Sequence, residues 1–252
     1  MLRFYHSLSG FLLFAVSLVL VTPVQAEVEF RANPHTRLSH EYQQRRQEPN
    51  YAGCPCGCRR SRLLALVPEH EAVLTVSTHP DFFVAVPALS DISDRPEGEI
   101  WTEFWLSDSD TQELLYLVRL PLPEQAGILR LPLSADLPAL QMGKDYEWGF
   151  SLICDDDHPI GVYGIVRRVE PPADLSTLSE QATPHQLASR YANAGIWVEA
   201  IATLAQARQD SPENAEILND WRSLLQSVEL DGVIGNPFVQ EPFVQEQIVR
   251  EQ

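Results

Sequence analysis

The most informative stretch of the chain is LQMGKDYEWGFSLIC, residues 140–154. Its second half alternates between large apolar residues and smaller or polar ones. Successive side chains of a β-strand point to opposite faces of the sheet, so this alternation predicts a strand with one face in a core. We predict the strand over Asp145–Cys154, with these residues on the core face: Tyr146, Trp148, Phe150, Leu152 and Cys154.

The turn before this strand has the L-x-x-G-x-x-Y spacing of a tyrosine corner, through Leu140, Gly143 and Tyr146. Glycine tolerates the backbone conformation that a tight turn needs. The tyrosine hydroxyl then closes a hydrogen bond back to the loop, as in fibronectin-type domains. The spacing predicts a structural scaffold and carries no implication for function.

Six further strands are predicted between residues 63 and 170, where short apolar runs alternate with turns rich in Pro, Gly and Asp. No helical period interrupts these runs, so we expect an antiparallel immunoglobulin/fibronectin-like β-sandwich over 63–170. The expected strands are Ala72–Thr78, Phe82–Pro87, Ile100–Leu106, Leu114–Leu120, Gly127–Leu131 and Ile160–Val169.

After a linker at 171–184, the apolar residues recur every three and four positions across 185–230, which is typical of helices. We predict a short tetratricopeptide-like helical unit, with Ser211 or Asn214 as the cap of a third helix. Because one repeat cannot bury its own apolar face, we expect the unit to dock on the sandwich. The residues in the repeat register are Tyr191, Gly195, Ala200, Leu204, Ala207 and Pro212.

The last segment, 231–252, contains the motif PFVQE twice in tandem, at 237–241 and at 242–246. Two copies are too few to build a repeat architecture. We predict a disordered tail, and the alternative is a linear peptide that presents two Phe anchors.

The first 26 residues predict a secretory signal peptide. An apolar run at 11–21 follows a weakly basic start, is too short to span a bilayer, and is followed by small residues at the cleavage site. We predict cleavage after Ala26 and export to the periplasm or the extracellular medium, with no membrane contact afterwards.

The charge distribution restricts the partners. The chain has a formal net charge of −17, and the basic residues concentrate in 27–62, which we predict to be a flexible N-terminal arm. The acidic remainder repels nucleic acids and anionic lipid headgroups, so neither is an expected partner.

Several stretches, in this order, resemble a cyanobacterial family of exported proteins known as DUF928. They are LLALVPE (63–69), LTVSTHPDFFVAVP (74–87), GKDYEWGFSLICD (143–155) and YANAGIWVEAIATLA (191–205). The resemblance implies a cysteine near the start of the domain and another in the strand that ends in ICD, and it implies no catalytic residue. The CPCGC cluster at 54–58 and the tail repeat depart from the family pattern.

The cysteines are Cys54, Cys56, Cys58 and Cys154. An exported chain meets an oxidising compartment, so we predict a disulfide between Cys154 and one of the other three, which would pin the arm to the sandwich. Two alternatives for the CPCGC cluster remain open, a metal site and a redox-active pair. Closely spaced thiolates suit Cu(I) or Zn(II), and the neighbouring Arg59 and Arg60 would lower the thiol pKa, which favours thiol exchange and metal binding alike.

Two further groups invite a binding hypothesis. Trp101 and Trp105 share one face of a strand with Glu103, which suits stacking on a sugar ring, although we expect the helical unit to cover them. The run of Asp and His at 155–158 lacks the spacing of a calcium loop and predicts a hairpin turn.

The sequence contains no nucleophile elbow, phosphate-binding loop or zincin helix. We therefore expect a non-enzymatic protein without a cofactor, acting as an extracytoplasmic protein-interaction module with an unidentified protein partner. The alternatives are a thiol-dependent metal-binding or redox protein that uses CPCGC, and a module that binds polysaccharide through Trp101 and Trp105.

Overall fold

The computed structural model describes residues 27–34, 36, 63–69, 72–92, 100–154, 159–173, 175 and 182–239. The chain is mainly β, with its helices at the C-terminal end. The strands are β1 (Leu64–Ala65), β2 (Val73–Thr75), β3 (Asp81–Val86), β4 (Trp101–Asp108), β5 (Leu114–Pro121), β6 (Gly127–Pro132), β7 (Asp145–Ile153) and β8 (Ile160–Arg168). The helices are α1 (Pro184–Asn193), α2 (Trp197–Asp210) and α3 (Ala215–Gln226), and short 3-10 helices occupy Leu89–Asp91 and Asp231–Val233.

The strands form two sheets. A three-stranded antiparallel sheet has the order β1-β3-β6, and a five-stranded sheet has the order β2-β8-β7-β4-β5. The pairing of β2 with β8 is parallel, so the prediction of a fully antiparallel arrangement was wrong at this edge. No hairpin turn joins these two strands, since β2 arrives from β1 on the other sheet, and nothing therefore requires them to run in opposite directions.

The seven strands that the alternation predicts are all present, with ends displaced by up to three residues. The eighth, β1, contains only Leu64 and Ala65. A two-residue strand is too short to carry an alternating pattern, which is why periodicity did not find it.

The apolar faces of the two sheets meet in one core. The ring of Phe82 on β3 lies 4.9 Å from the ring of Trp148 on β7 and 5.1 Å from the ring of Phe104 on β4. All five residues predicted on the core face of β7 and its end are buried, including Cys154. The predicted orientation of this strand is confirmed.

The predicted turn before β7 is also confirmed. The backbone N–H of Gln141 donates to the hydroxyl of Tyr146 over 2.9 Å, and Tyr146 is buried. Gly143 has a φ of +75°, a left-handed conformation that a residue with a Cβ adopts at a cost. The hydrogen bond ties the loop to the first residues of the strand.

Replacement of Tyr146 by Phe removes this hydroxyl and leaves the Gln141 N–H without its acceptor. We expect the free energy of unfolding to fall by about 1 kcal/mol, as measured by urea denaturation. Tyr116→Phe is the matched control, because Tyr116 is half-buried and packs on Phe104 through its ring. Equal losses in the two variants would contradict this role.

The caps of the helices follow from the sequence. Thr183 and Gln186 form a capping box at the start of α1, and the Asn214 side chain accepts hydrogen bonds from the N–H groups of Glu216 and Ile217 at the start of α3. Asn214, rather than Ser211, is therefore the cap of the third helix. In the described residues no helix is long and apolar enough to cross a membrane.

Two residues in the first turn of α2 form hydrogen bonds with segments that adjoin the two sheets. The indole N–H of Trp197 donates to the carbonyl of Leu66, just after β1, over 2.8 Å. The Oε1 atom of Glu199 accepts hydrogen bonds from the Thr75 hydroxyl, the Val76 N–H and the Ser77 N–H over 2.6, 2.9 and 3.0 Å. The predicted docking of the helical unit on the β-sheets is confirmed.

Burial raises the pKa of Glu199, although the hydrogen bonds from Thr75, Ser77 and Val76 act in the opposite direction. The folded chain then holds the proton to a higher pH than the unfolded chain does. Stability contributed by this group is therefore complete below the ordinary carboxyl pKa and is lost as the pH rises through the raised value.

Glu199→Gln imitates the protonated carboxyl and does not titrate. We expect the difference in unfolding free energy between Glu199→Gln and the parent chain to shift in favour of the variant as the pH rises from 4 to 8, measured by urea denaturation at each pH. Glu199→Ala should instead be less stable than the parent by about 2–4 kcal/mol at pH 4, because the Thr75 hydroxyl and the Val76 N–H lose their acceptor. This deficit should narrow as the pH rises, because only the parent loses stability from the titration of Glu199. A parallel pH profile for the parent and Glu199→Gln would contradict the raised pKa.

The start of the predicted flexible arm is packed. Val28 is fully buried, and the ring of Phe30 stands edge-on to Trp197 at 5.1 Å. Backbone N–H groups of Phe30 and Arg31 donate to the Ser227 hydroxyl and the Ala192 carbonyl, both over 3.0 Å. The expectation of a flexible arm therefore does not hold for residues 27–34, because their apolar side chains fill the space beside the helices.

The start of the tail is packed as well. Phe238 forms a parallel β-bridge with Ile128 on β6, and Val233 is buried. The prediction of disorder is thus wrong for residues 231–239. The remaining residues of the tail lie outside the described part of the chain.

Candidate functional site

The outer face of the five-stranded sheet carries three aromatic rings: Trp101 and Trp105 on β4 and Tyr163 on β8. We refer to these three residues as the aromatic face. All three are half-buried, whereas Thr102, Phe104 and Leu106 point the other way and are buried in the core. The orientation predicted for β4 is confirmed.

Two of the rings lie against glycines. Trp105 and Tyr163 belong to the strands on either side of β7, and each is paired with Gly149 between them. The Trp105 indole lies directly over Gly149, since a Cβ at Gly149 would come within 2.5 Å of the indole Cε2 atom. The Tyr163 ring lies over Gly161, where a Cβ would come within 2.5 Å of the phenol oxygen. The missing side chains let both rings lie close to the backbone of the sheet.

Trp101 belongs to a polar cluster at one end of this face. Its indole N–H donates to Oε1 of Glu103 over 3.3 Å, and the same oxygen pairs with Nε of Arg119 at 2.8 Å. The guanidinium of Arg119 stacks over the Trp101 ring at 5.1 Å from its centroid. About half of the Arg119 side chain is exposed, so the ion pair contributes little to stability. It does place hydrogen-bonding groups next to the rings.

The helical unit does not provide the cover expected for the tryptophans. Its main sheet contacts are those of α2 with β2 and β3, and β2 is at the edge of the five-stranded sheet away from β4. Neighbouring side chains on the sheet cover the rings partly: Tyr163 lies beside Trp105 with the ring centroids 5.9 Å apart. The aromatic face therefore remains half-exposed.

Gly149→Ala places a methyl group where the Trp105 indole now lies. We expect the ring to be displaced, the free energy of unfolding to fall by about 1–3 kcal/mol, and the tryptophan fluorescence maximum to move to the red. Gly232→Ala is the control, because a Cβ at that position meets nothing within 4 Å. An unchanged spectrum in Gly149→Ala would contradict the close packing of Trp105 on Gly149.

Several predicted sites lie wholly or partly outside the described residues. The CPCGC cluster, with Cys54, Cys56 and Cys58, is among them, as is the run at 155–158. Cys154 is described: it is buried beside Leu122 and is not a free thiol. Its pairing with an arm cysteine stays a prediction.

The described residues also bring together His185, Glu216 and Asp220, whose potential metal-ligand atoms lie within 4.8 Å of one another. Nδ1 of His185 lies 3.0 and 2.9 Å from the two carboxylate oxygens of Asp220. Burial raises the pKa of Asp220 and the hydrogen bond with His185 lowers it. Because His185 and Asp220 already satisfy each other, we interpret the group as a link between α1 and α3.

Sequence reasoning identified Trp101, Glu103 and Trp105 but missed Tyr163 and Arg119. The local signal for Tyr163 is an aromatic residue between two glycines, in GVYG at 161–164. The signal is incomplete, because only the strand register places Tyr163 beside Gly149 and Arg119 opposite Glu103.

Together, these features define a mainly β protein with C-terminal helices and a half-exposed aromatic surface on its five-stranded sheet. The family model described as Domain of Unknown Function (DUF928) matches residues 41–238, and the chain therefore belongs to this family. The resemblance noted in the sequence is confirmed. None of the curated proteins compared with the chain matches it. The family match ends at Phe238, so the second copy of the tail motif lies beyond it.

Proposed function

We propose that the chain is an exported, non-enzymatic protein that binds polysaccharide through its aromatic face. The observation that carries the proposal is the position of the Trp105 and Tyr163 rings over Gly149 and Gly161. A ring that lies along the sheet directs its free face outward, and a flat apolar surface of this kind matches the apolar face of a sugar ring. Export is supported by the pattern of residues 1–26 and stays a prediction.

Polar groups of three kinds lie near the rings. Glu103 supplies carboxylate acceptors, Arg119 supplies guanidinium donors, and Ser151 lies opposite Glu103 on the neighbouring strand. Binding sites for small polar ligands combine apolar stacking surfaces with a few such groups, which fix the orientation of the ligand. The strongly acidic chain repels anionic polymers, so we propose a neutral polysaccharide.

The protein-interaction module expected from the sequence has less support. Stable protein interfaces need an apolar centre. Outside the aromatic face, the exposed large apolar side chains of the described residues are Leu114, at the start of β5, and Met142, in the turn before β7. The metal-binding and redox alternatives depend on residues 54–58, which lie outside the described part, and they stay predictions.

We further propose that the β-part is immunoglobulin/fibronectin-like. The order β1-β3-β6 corresponds to strands A, B and E of such a domain, and β4, β5, β7 and β8 correspond to C, C′, F and G. The hydroxyl of Tyr146 bonds back to the loop at the start of the strand that corresponds to F. The tetratricopeptide-like character of α1 and α2 has support from the buried small residues Ala188, Ala192 and Ala200 at their contact.

Titration with a neutral soluble glucan, hydroxyethyl cellulose, tests the binding proposal. We expect a saturable change in tryptophan fluorescence, and a loss of affinity of about tenfold in Trp105→Ala or Tyr163→Ala because each removes one stacking surface. Leu114→Ala is the control, since Leu114 is exposed on the same sheet but is not part of the aromatic face.

An affinity that is equal in the parent, Trp105→Ala and Leu114→Ala would contradict the assignment of the site. Circular dichroism of each variant separates loss of binding from loss of fold. Amylose and insoluble cellulose, tested in the same way, separate a soluble single chain from a flat crystalline surface as the preferred form of the ligand.

A further inference from the structure

The last described residues of the chain close the free edge of the three-stranded sheet. β6 is the outer strand of this sheet. The N–H of Ile128 donates to the carbonyl of Pro237 over 2.7 Å, and the N–H of Val239 donates to the carbonyl of Ile128 over 3.0 Å. These two bonds form a parallel bridge of the kind by which extended peptides add to a sheet edge.

Side chains make this edge selective for the first tail motif. The Phe238 ring meets Trp221 of α3 at 5.6 Å, with the rings steeply inclined to each other. The guanidinium of Arg208 lies 5.3 Å from the centroids of both rings, and its Nη2 atom donates to the carbonyl of Asn236 over 2.9 Å. We call this place the tail groove, defined by Gly127, Ile128, Arg208 and Trp221.

Gly127 allows the tail to approach the strand closely. A Cβ at Gly127 would come within 2.5 Å of the Pro237 carbonyl oxygen and of the Cγ1 atom of Val239. The tail groove therefore recognises a backbone carbonyl, an aromatic ring and a valine at three successive positions. Those requirements are met by the tripeptide Pro-Phe-Val.

The chain contains this tripeptide twice. Residues 242–246 repeat residues 237–241 without a difference, so Pro242, Phe243 and Val244 offer the same groups in the same order. In the first copy the preceding residue, Asn236, contacts the tail groove through its carbonyl, and Glu241 has a carbonyl at the equivalent place. Nη1 of Arg208 is buried without a hydrogen-bond partner, so a glutamate in place of Asn236 also introduces a carboxylate near an unsatisfied donor.

We propose that the tail groove is a docking site for the PFVQE motif, and that the second copy, residues 242–246 of the same molecule, is its alternative occupant. When the second copy replaces the first in the tail groove, the register of the tail shifts by five residues and a loop of five residues forms after Gly235. Closing a loop of this size costs little free energy, so two ligands of equal sequence compete for one groove at similar affinity.

Hydrogen exchange at the amide of Ile128 measures the occupancy of the groove, because its N–H donates to the docked motif. The variants are Phe238→Ala, Phe243→Ala and the double variant. We expect Ile128 to keep its protection to within about threefold in each single variant, since the intact copy docks, and to lose at least about tenfold in the double variant. The amide of Phe150, in the centre of the other sheet, serves as the internal control for folding.

Loss of Ile128 protection in Phe238→Ala alone would overturn the proposal, because the second copy would then fail to replace the first. Retained protection in a folded double variant would also overturn it, because the phenylalanine would then not determine docking. If the double variant fails to fold, the milder variants Phe238→Leu, Phe243→Leu and their combination replace the alanine set under the same expectations. Protection in Phe238→Ala that rises with protein concentration would assign the second copy to a neighbouring molecule and overturn the exchange within one chain.

Discussion

The first turn of α2 holds the two sheets and the helices in one arrangement. Glu199 accepts three hydrogen bonds from the segment around the end of β2, and Trp197 donates one to the carbonyl that follows β1. β2 is the edge of the five-stranded sheet and β1 is the edge of the three-stranded sheet, so two residues of one helix bridge both. The Glu199 carboxyl group is buried, so its Oε1 atom keeps all three hydrogen bonds only while the loop after β2 stays in this position.

Glycine positions aromatic rings on both faces of the five-stranded sheet. On the outer face Trp105 lies over Gly149, and on the inner face Trp148 lies over Gly164, where a Cβ would come within 2.6 Å of the indole nitrogen. These glycines belong to β7 and β8, which are paired along their length. The same two strands therefore shape both the core and the proposed binding surface.

The alternation of residues predicted seven strands, the buried face of β7 and the hydrogen bond of Tyr146, because these are local properties of one or two strands. Pairing is not local. The neighbour of β2 is β8, far later in the chain, and no pattern within either strand indicates it. For the same reason Trp101 and Trp105 could be predicted as a candidate site, whereas Tyr163 and Arg119 became part of it only through the register. The position of the tail could not be predicted for the same reason. The motif PFVQE is visible in the sequence, but its place on β6 depends on Gly127, Arg208 and Trp221, none of which is adjacent to it in the sequence.

Segments near both ends of the described chain are packed into the same body. Phe30 packs on Trp197, while Phe238 packs on Trp221 and extends the sheet at β6. During synthesis these contacting residues leave the ribosome at very different times. The β6 strand is made long before the segment around Phe238 that pairs with its edge. Contacts of such long sequence separation slow folding and leave early products incomplete. We therefore expect the native topology to be completed only after the helices have been synthesised, an order that is compatible with the proposed export of an unfolded polypeptide.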